Sequence, residues 1–236
     1  MAKPITVYWA SWENVWMRAS KPELVSKRFF SKGFKDTDVK SSMSVNFCPA
    51  VNKYFKNLYA VKSVYDYSFT VENDKCFSKL YDQQFFDNHV VIRSMEKRVF
   101  SFLNRYVFFT DEKSLEITAV LHPTFEENAI SERCMPIPGS FDIGKWFRPL
   151  EFPFILKKEF DTFAVNDQDV MYYLRFHTDR PIILKQFFIN DSLEKFINGT
   201  VSITSNKLSK LGTFNDIYAL FKPKKLILKE INQNLL

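Results

Sequence analysis

His177-Thr178-Asp179 has the sharpest claim to chemistry in this chain of 236 residues. A neutral imidazole and a carboxylate two residues apart at a strand end supply two of the three ligands of a facial triad. The open positions of such a site suit oxygen chemistry on Fe(II). On this reading His177 and Asp179 are metal ligands, and Fe(II) is the cofactor. The simpler reading of the same residues is a turn in which Asp179 caps the backbone, with no cofactor expected. Zinc has less support. Cys48, Cys76, Cys134, His89, His122 and His177 show neither C-x-x-C nor H-x-x-x-H spacing.

The His177–Asp179 segment resembles the proximal motif of the Fe(II)/2-oxoglutarate oxygenases, which fold as a double-stranded β-helix. The resemblance covers three residues. It implies a distal histidine downstream, and no histidine follows His177. Cys134, twelve residues after His122, could form a thiol–imidazole pair. No nucleophile motif surrounds it, and a buried, inert cysteine is the commoner state. Walker A, G-x-G-x-x-G and G-x-S-x-G motifs are absent, and five glycines leave little material for a phosphate-cradling loop. The catalytic inventory is incomplete, so the sequence leans toward a protein that is not an enzyme.

Binding residues fall into two groups. Residues 136–157 concentrate proline and glycine around Trp146 and four phenylalanines. Proline fixes φ and glycine opens positive φ, so this run reads as a rigid, irregular connection rather than a helix or a central strand. Trp146, Phe147 and Arg148 within it are candidate binding residues, since Trp and Arg are typical interface hot spots. The alternative is that they plug the end of a sheet. The second group is cationic. The net charge is +6, and residues 205–236 carry Lys207, Lys210, Lys222, Lys224, Lys225 and Lys229 against Asp216 and Glu230. Lys222, Lys224 and Lys225 are the candidate binders there. Residues 18–40 are also basic, so the two ends could share one face; otherwise the lysines simply solvate amphipathic helices. Lysine predominates over arginine, which suits nonspecific phosphate attraction better than base reading. Nucleic acid is therefore an alternative partner, behind protein.

The elements that must position these residues are strand-rich in the middle and helical at the ends. Ile5–Ala10 reads as a first strand. Ser20-Lys21-Pro22-Glu23 reads as a capping box opening a helix to about Phe30, with a surface loop over residues 31–44. Val51, Tyr54, Phe55 and Leu58 form a helical stripe. Aromatic and β-branched residues then mark strands at Tyr59–Lys62, Tyr65–Val71, Val90–Arg93, Tyr106–Thr110, Leu115–Leu121 and Phe152–Leu156. Val170–His177 and Pro181–Phe188 read as a hairpin turning at Thr178-Asp179-Arg180. Asp191–Glu194 resembles a helix start and Gly199 a helix end. Phe214, Ile217, Tyr218 and Phe221 form another helical stripe, and Leu228, Ile231 and Leu235 a last amphipathic segment. The expected fold is α+β: an antiparallel β-sandwich or jelly-roll-like core with flanking N- and C-terminal helices, in one globular domain spanning 1–236. Its C-terminal segment, 191–236, is expected to be mainly helical.

Composition agrees with a core-forming chain. Twenty-six phenylalanines against five glycines suit an AT-rich gene in which Phe is the bulky core residue, rather than a dedicated aromatic surface. No apolar signal segment or run of about 18 apolar residues is present, so neither secretion nor a membrane partner is expected. Three widely spaced cysteines do not suggest a disulfide framework.

Several segments together carry a wider resemblance: Val7-Tyr8-Trp9-Ala10, Cys48-Pro49-Ala50-Val51, Tyr65–Phe69, Pro138–Pro149 and Tyr173–Asp179. They resemble a family of uncharacterised proteins of T4-like tailed phages infecting marine bacteria, with P-G-x-F-D-I-G-x-W-F-R-P the most specific part. The resemblance implies a phage gene and a product in the virion or the host cytoplasm, but no activity and no functional residues. The function expected is that of a non-enzymatic phage protein acting through protein contacts, as an accessory virion component or a host-directed binder. An Fe(II)-dependent oxygenase-like sandwich and a nonspecific nucleic-acid binder are the alternatives.

Overall fold

Side-chain alternation along the first strand sets the layering. In β1 (Ile5–Ser11), Ile5, Val7 and Trp9 join a large central core, while Tyr8 and Ala10 join a second core on the opposite face. The structure is a computed structural model that describes residues 2–11, 20–26, 48–73, 75–78, 80–103, 106–120, 129–137, 139–205 and 223–236. β1 is the middle strand of a three-stranded sheet, antiparallel to β8 (Tyr106–Thr110) and parallel to β15 (Ile182–Gln186). The second core is closed by Leu193 and Ile197 of α4 (Asp191–Ser205) and by Ile227 and Ile231 of α5 (Lys224–Gln233). Burial on both faces explains why β1 and β8 read as nearly continuous apolar runs.

Three further sheets surround the central core. One has the order β11 (Gly139–Asp142), β9 (Glu116–Val120), β14 (Val170–Phe176), β3 (Leu58–Lys62), β2 (Glu23–Leu24). Helix α1 (Pro49–Phe55) meets its outer side, where Phe55 packs with Val25, Leu58, Ala60, Val170 and Tyr173. Another has the order β10 (Cys134–Pro136), β12 (Phe152–Leu156), β7 (Val99–Phe102), β6 (Val90–Ser94). The last is β13 (Thr162–Val165), β4 (Tyr67–Glu72), β5 (Lys75–Phe77). Short helices α2 (Gln83–His89) and α3 (Ala129–Arg133) lead into β6 and β10. Phenylalanine fills the space between sheets. Phe102 packs on Phe154 at 5.0 Å and Phe163 at 5.3 Å, Phe69 on Phe163 at 5.0 Å, and Phe152 stacks on Tyr172 at 4.8 Å. Such pairs add roughly 0.5–1.5 kcal/mol each beyond the area they bury. The fold is thus α+β, with several mainly antiparallel sheets packed together in a sandwich-like core; α1 covers the five-stranded sheet, and α4 and α5 close the second core.

Several local expectations are corrected. β14 and β15 do not form a hairpin: β14 pairs with β3 and β9, whereas β15 lies along β1 in a different sheet. The intervening chain is held without cross-strand pairing. The buried Asn57 donates to the carbonyls of Thr178 and Arg180 at 2.7 and 2.9 Å, and Arg180 Nε donates to Lys3 O at 2.7 Å. Asn57 also ends the first helical stripe. The chain leaves the helix at Lys56, which is extended with ψ of 129°, and turns at Asn57 with φ of 54°, so Leu58 opens β3 instead of completing a helical turn.

Glu23 and Leu24 pair with Ala60 and Tyr59 as strand β2, and Ser20 Oγ donates to Gln168 rather than capping a helix; helical backbone begins later than expected, at Val25 and Ser26. The expected continuation of that helix to Phe30 lies outside the described residues, as do the 31–44 loop and the Phe214–Phe221 stripe. Gly199 sits within α4, which runs on to Ser205; Asn190 Oδ1 accepts from Leu193 N at 2.9 Å near its start. The 136–157 run is not irregular throughout: Gly139–Asp142 forms end strand β11 against β9, and Phe152–Leu156 forms β12 between β10 and β7.

Candidate functional site

Asp142 shapes the region that carries Trp146. At the end of β11 its buried carboxylate takes four donors. Oδ1 accepts from the amides of Leu115 (2.9 Å) and Gly144 (2.8 Å), and Oδ2 from Ser114 Oγ (2.6 Å) and Lys145 Nζ (3.0 Å). Burial pushes this carboxyl up, but the Ser114 hydroxyl, the Leu115 amide, Lys145 and the Gly144 amide together hold it below its ordinary value. The Asp142 carbonyl in turn accepts from Lys145 N and Trp146 N, at 3.1 and 2.9 Å. This tight turn has room only for glycine at 144: a Cβ there would lie 2.6 Å from the carbonyl oxygen of Glu112. Lys224 clamps the turn from α5, donating to the carbonyls of Glu112 and Gly144 with its ammonium 5.8 Å from the Phe109 ring centroid.

The turn sends consecutive side chains to different places. Phe147 is fully buried in the second core, edge-on to Phe109 at 5.2 Å. Trp146, only 2% exposed, forms a wall of an apolar cavity of about 260 Å³, together with Ile137, Phe141, Pro149, Leu150 and Pro153. Ser140, Gly139 and Ala119 complete the side toward the five-stranded sheet. Arg148 lies over the Trp146 ring at 5.2 Å and reaches Glu151 Oε1 at 3.2 Å. The other oxygen of Glu151 pairs with Arg93, which also donates from Nε to Ser101 Oγ at 3.3 Å. Two guanidinium groups therefore share one carboxylate beside an apolar cavity. This arrangement holds and orients; it contains no nucleophile–base pair.

The residues singled out in the sequence separate accordingly. Trp146 and Arg148 meet at the cavity, as wall and rim rather than as a protruding anchor, while Phe147 serves the core. Lys224 is partly buried; burial pushes its ammonium down, against the opposing pull of Asp111, Asp142 and Glu112. Lys225 is exposed on α5. Lys222 lies outside the described residues, as does most of the basic 18–40 segment. His177 Nε2 is hydrogen-bonded to Thr118 Oγ1 at 2.7 Å, whereas Asp179 points into solvent, 3.5 Å from Lys56. Among the described residues no three His, Cys, Asp or Glu side chains gather to hold a metal. Cys76 and Cys134 are buried, and desolvation pushes both thiols up, Cys76 to about 12. His122, the suggested partner of Cys134, lies outside the described residues.

Arg93, Gly139, Ser140 and Glu151 were not foreseen as site residues. Arg148 and Glu151 stand three apart, a spacing that can be read from sequence. Arg93 is 58 residues from Glu151 and gives no local signal. No helix among the described residues is long and apolar enough to cross a membrane. Comparison with protein-family models, curated proteins and solved structures finds no match.

Proposed function

We propose that this protein is a binding protein acting through protein contacts, with the cavity beside Trp146 and Arg148 as its recognition site. One observation carries the reading: an apolar cavity of about 260 Å³ lies next to a cluster of two arginines and a glutamate. Pockets that enclose a whole small-molecule ligand run roughly 300–1,000 Å³. The smaller volume suits one large side chain presented by a partner polypeptide. A buried anchor ringed by groups that exclude water is the anatomy of a binding hot spot. The resemblance of the Pro138–Pro149 segment to proteins of T4-like phages bears on location, in the virion or the host cytoplasm, where such a binder would be an accessory virion component or a host-directed protein.

A photoreactive residue tests this reading. p-Benzoylphenylalanine at Ser140, beside the cavity, is compared with the same residue at exposed Lys225 during expression in infected cells. A polypeptide adduct specific to position 140, lost when Gly139→Phe fills the cavity, is the expected result. Identical adducts at both positions, or an adduct that survives Gly139→Phe, refute it.

A further inference from the structure

We infer that Lys224 of α5 is a positioning residue for the cavity: it fixes the turn that carries Trp146, so that docking of α5 and occupancy of the cavity are coupled. The inference rests on the proposed role of the cavity as a recognition site and adds what controls it. Lys224 reads as a surface cation in the sequence, but its ammonium turns inward and donates to the carbonyls of Glu112 and Gly144. From Gly144 the connection to the cavity is short. Gly144 N donates to Asp142 Oδ1 at 2.8 Å, and Trp146 N donates to the Asp142 carbonyl at 2.9 Å. A second connection is apolar. Phe147 shares the second core with Ile227 and Ile231 of α5, while its neighbour Trp146 lines the cavity.

The turn between these connections has little slack. A Cβ at 144 would meet the Glu112 carbonyl oxygen at 2.6 Å, and four donors hold the Asp142 carboxylate. Packed elements of this kind pass between discrete arrangements rather than deforming gradually. Here the two arrangements are the first turn of α5 docked through Lys224 and the same turn opened, since helix ends open locally at lower cost than the core. The far end stays tied to β15 and the residues after it: Leu236 N donates to Gln186 O at 3.1 Å and Phe188 N to Asn234 O at 2.8 Å. An occupant needs Trp146 in place and so favours the docked turn. By reciprocity the docked turn favours the occupant by the same factor.

The test uses toluene, the phenylalanine side chain as a free molecule, as the probe of the cavity. Its affinity for the full chain is measured by ligand-observed NMR, and hydrogen exchange of α5 is followed with and without it. The reporter is the Ile227 amide, which donates to Pro223 O at 3.0 Å across the first turn of α5. Two variants are compared with the wild type, each well below its melting midpoint. Lys224→Met keeps an unbranched apolar stem but donates to neither carbonyl. Gly139→Phe blocks the cavity without disturbing the backbone, since a Cβ at 139 meets no atom within 4 Å.

In the wild type, saturating toluene should slow exchange at Ile227 by about fivefold, the low end of the usual coupling between two sites. Lys224→Met should weaken toluene binding by a similar factor and abolish its effect on Ile227, and Gly139→Phe should not bind toluene. A lysine with a purely structural role would lower the melting midpoint of Lys224→Met and leave the affinity of the folded protein unchanged. Equal affinity in Lys224→Met and the wild type, or exchange at Ile227 indifferent to toluene, overturns the coupling while leaving the cavity standing. No binding to the wild type, or binding that survives Gly139→Phe, overturns both. Should Lys224→Met fail to fold, exchange at Ile227 in the wild type decides alone.

Discussion

Replacing Asp142 separates two roles that its carboxylate combines. In Asp142→Ala the buried amides of Leu115 and Gly144 both lose their acceptor. A buried donor left unsatisfied costs about 1–3 kcal/mol, so two such losses, with those of Ser114 and Lys145, give about 3–5 kcal/mol. Asp142→Asn keeps one oxygen for the two amides. Its new NH2 group can donate to the Ser114 hydroxyl, which can turn to accept, but it cannot accept from the Lys145 ammonium. The remaining loss is a charge-assisted contact to a half-exposed lysine, about 1–2 kcal/mol. For a domain of this size each kcal/mol moves the thermal midpoint by about 2–4 °C. Asp142→Ala should therefore melt roughly 6–20 °C lower and Asp142→Asn about 2–8 °C lower. The folded carboxyl lies below its ordinary value, so its contribution is complete above the unfolded carboxylate pKa of about 3.9 and is lost as pH falls through the folded value. The gap between the wild type and Asp142→Asn should stay level from pH 7 to about 5 and close below about pH 4. Equal melting of the two variants would refute the role of the amides, and a gap unchanged down to pH 3 would refute the role of the charge.

Other substitutions test neighbouring links. Gly199→Ala places a methyl in open space on the exposed face of α4 and should raise stability by about 0.5–1 kcal/mol in urea unfolding; a loss would mean that residue 199 is not helical. Asn57→Ala removes two donors from the 178–180 crossing and leaves a Cβ residue at φ 54°. It should cost about 2–4 kcal/mol, with Asn57→Gly closer to the wild type because glycine tolerates that φ; equal costs would remove the conformational part of the argument. Cys76 and Cys134 should resist a thiol reagent at pH 8 in the native protein, because burial pushes both thiols up. The partly exposed Cys48 should be modified first. Rapid labelling of all three thiols would show that the core opens.

What the sequence made legible follows from the range of each signal. A run of aromatic and β-branched residues is a local signal, so β1, β8 and β12 could be recognised from their own residues, and Tyr106–Thr110 and Phe152–Leu156 match the observed strands. Pairing is not local. The two arms around Thr178 look like a hairpin because both are apolar and the connection is short. β14 has to be buried between β3 and β9, however, while β15 completes the other side of β1. Asn57, whose amide binds the Thr178 carbonyl 121 residues away, helps hold that separation, and such a long-range contact leaves no local pattern.

The candidate site obeys the same rule. Trp146, Phe147 and Arg148 are adjacent, yet the turn on Asp142 and Gly144 sends Phe147 to the helices, Trp146 to the cavity wall and Arg148 to its rim. Composition could mark the segment, but only its hydrogen bonds assign the roles. Arg93 arrives from β6 through two sheet neighbours: β6 pairs with β7 and β7 with β12, which brings it to Glu151, just before Phe152. The cluster beside the cavity is therefore a product of strand order. A substitution that shifts β6 by one residue, turning the Arg93 side chain to the other face of the sheet, would remove one arginine from it while leaving every cavity residue in place.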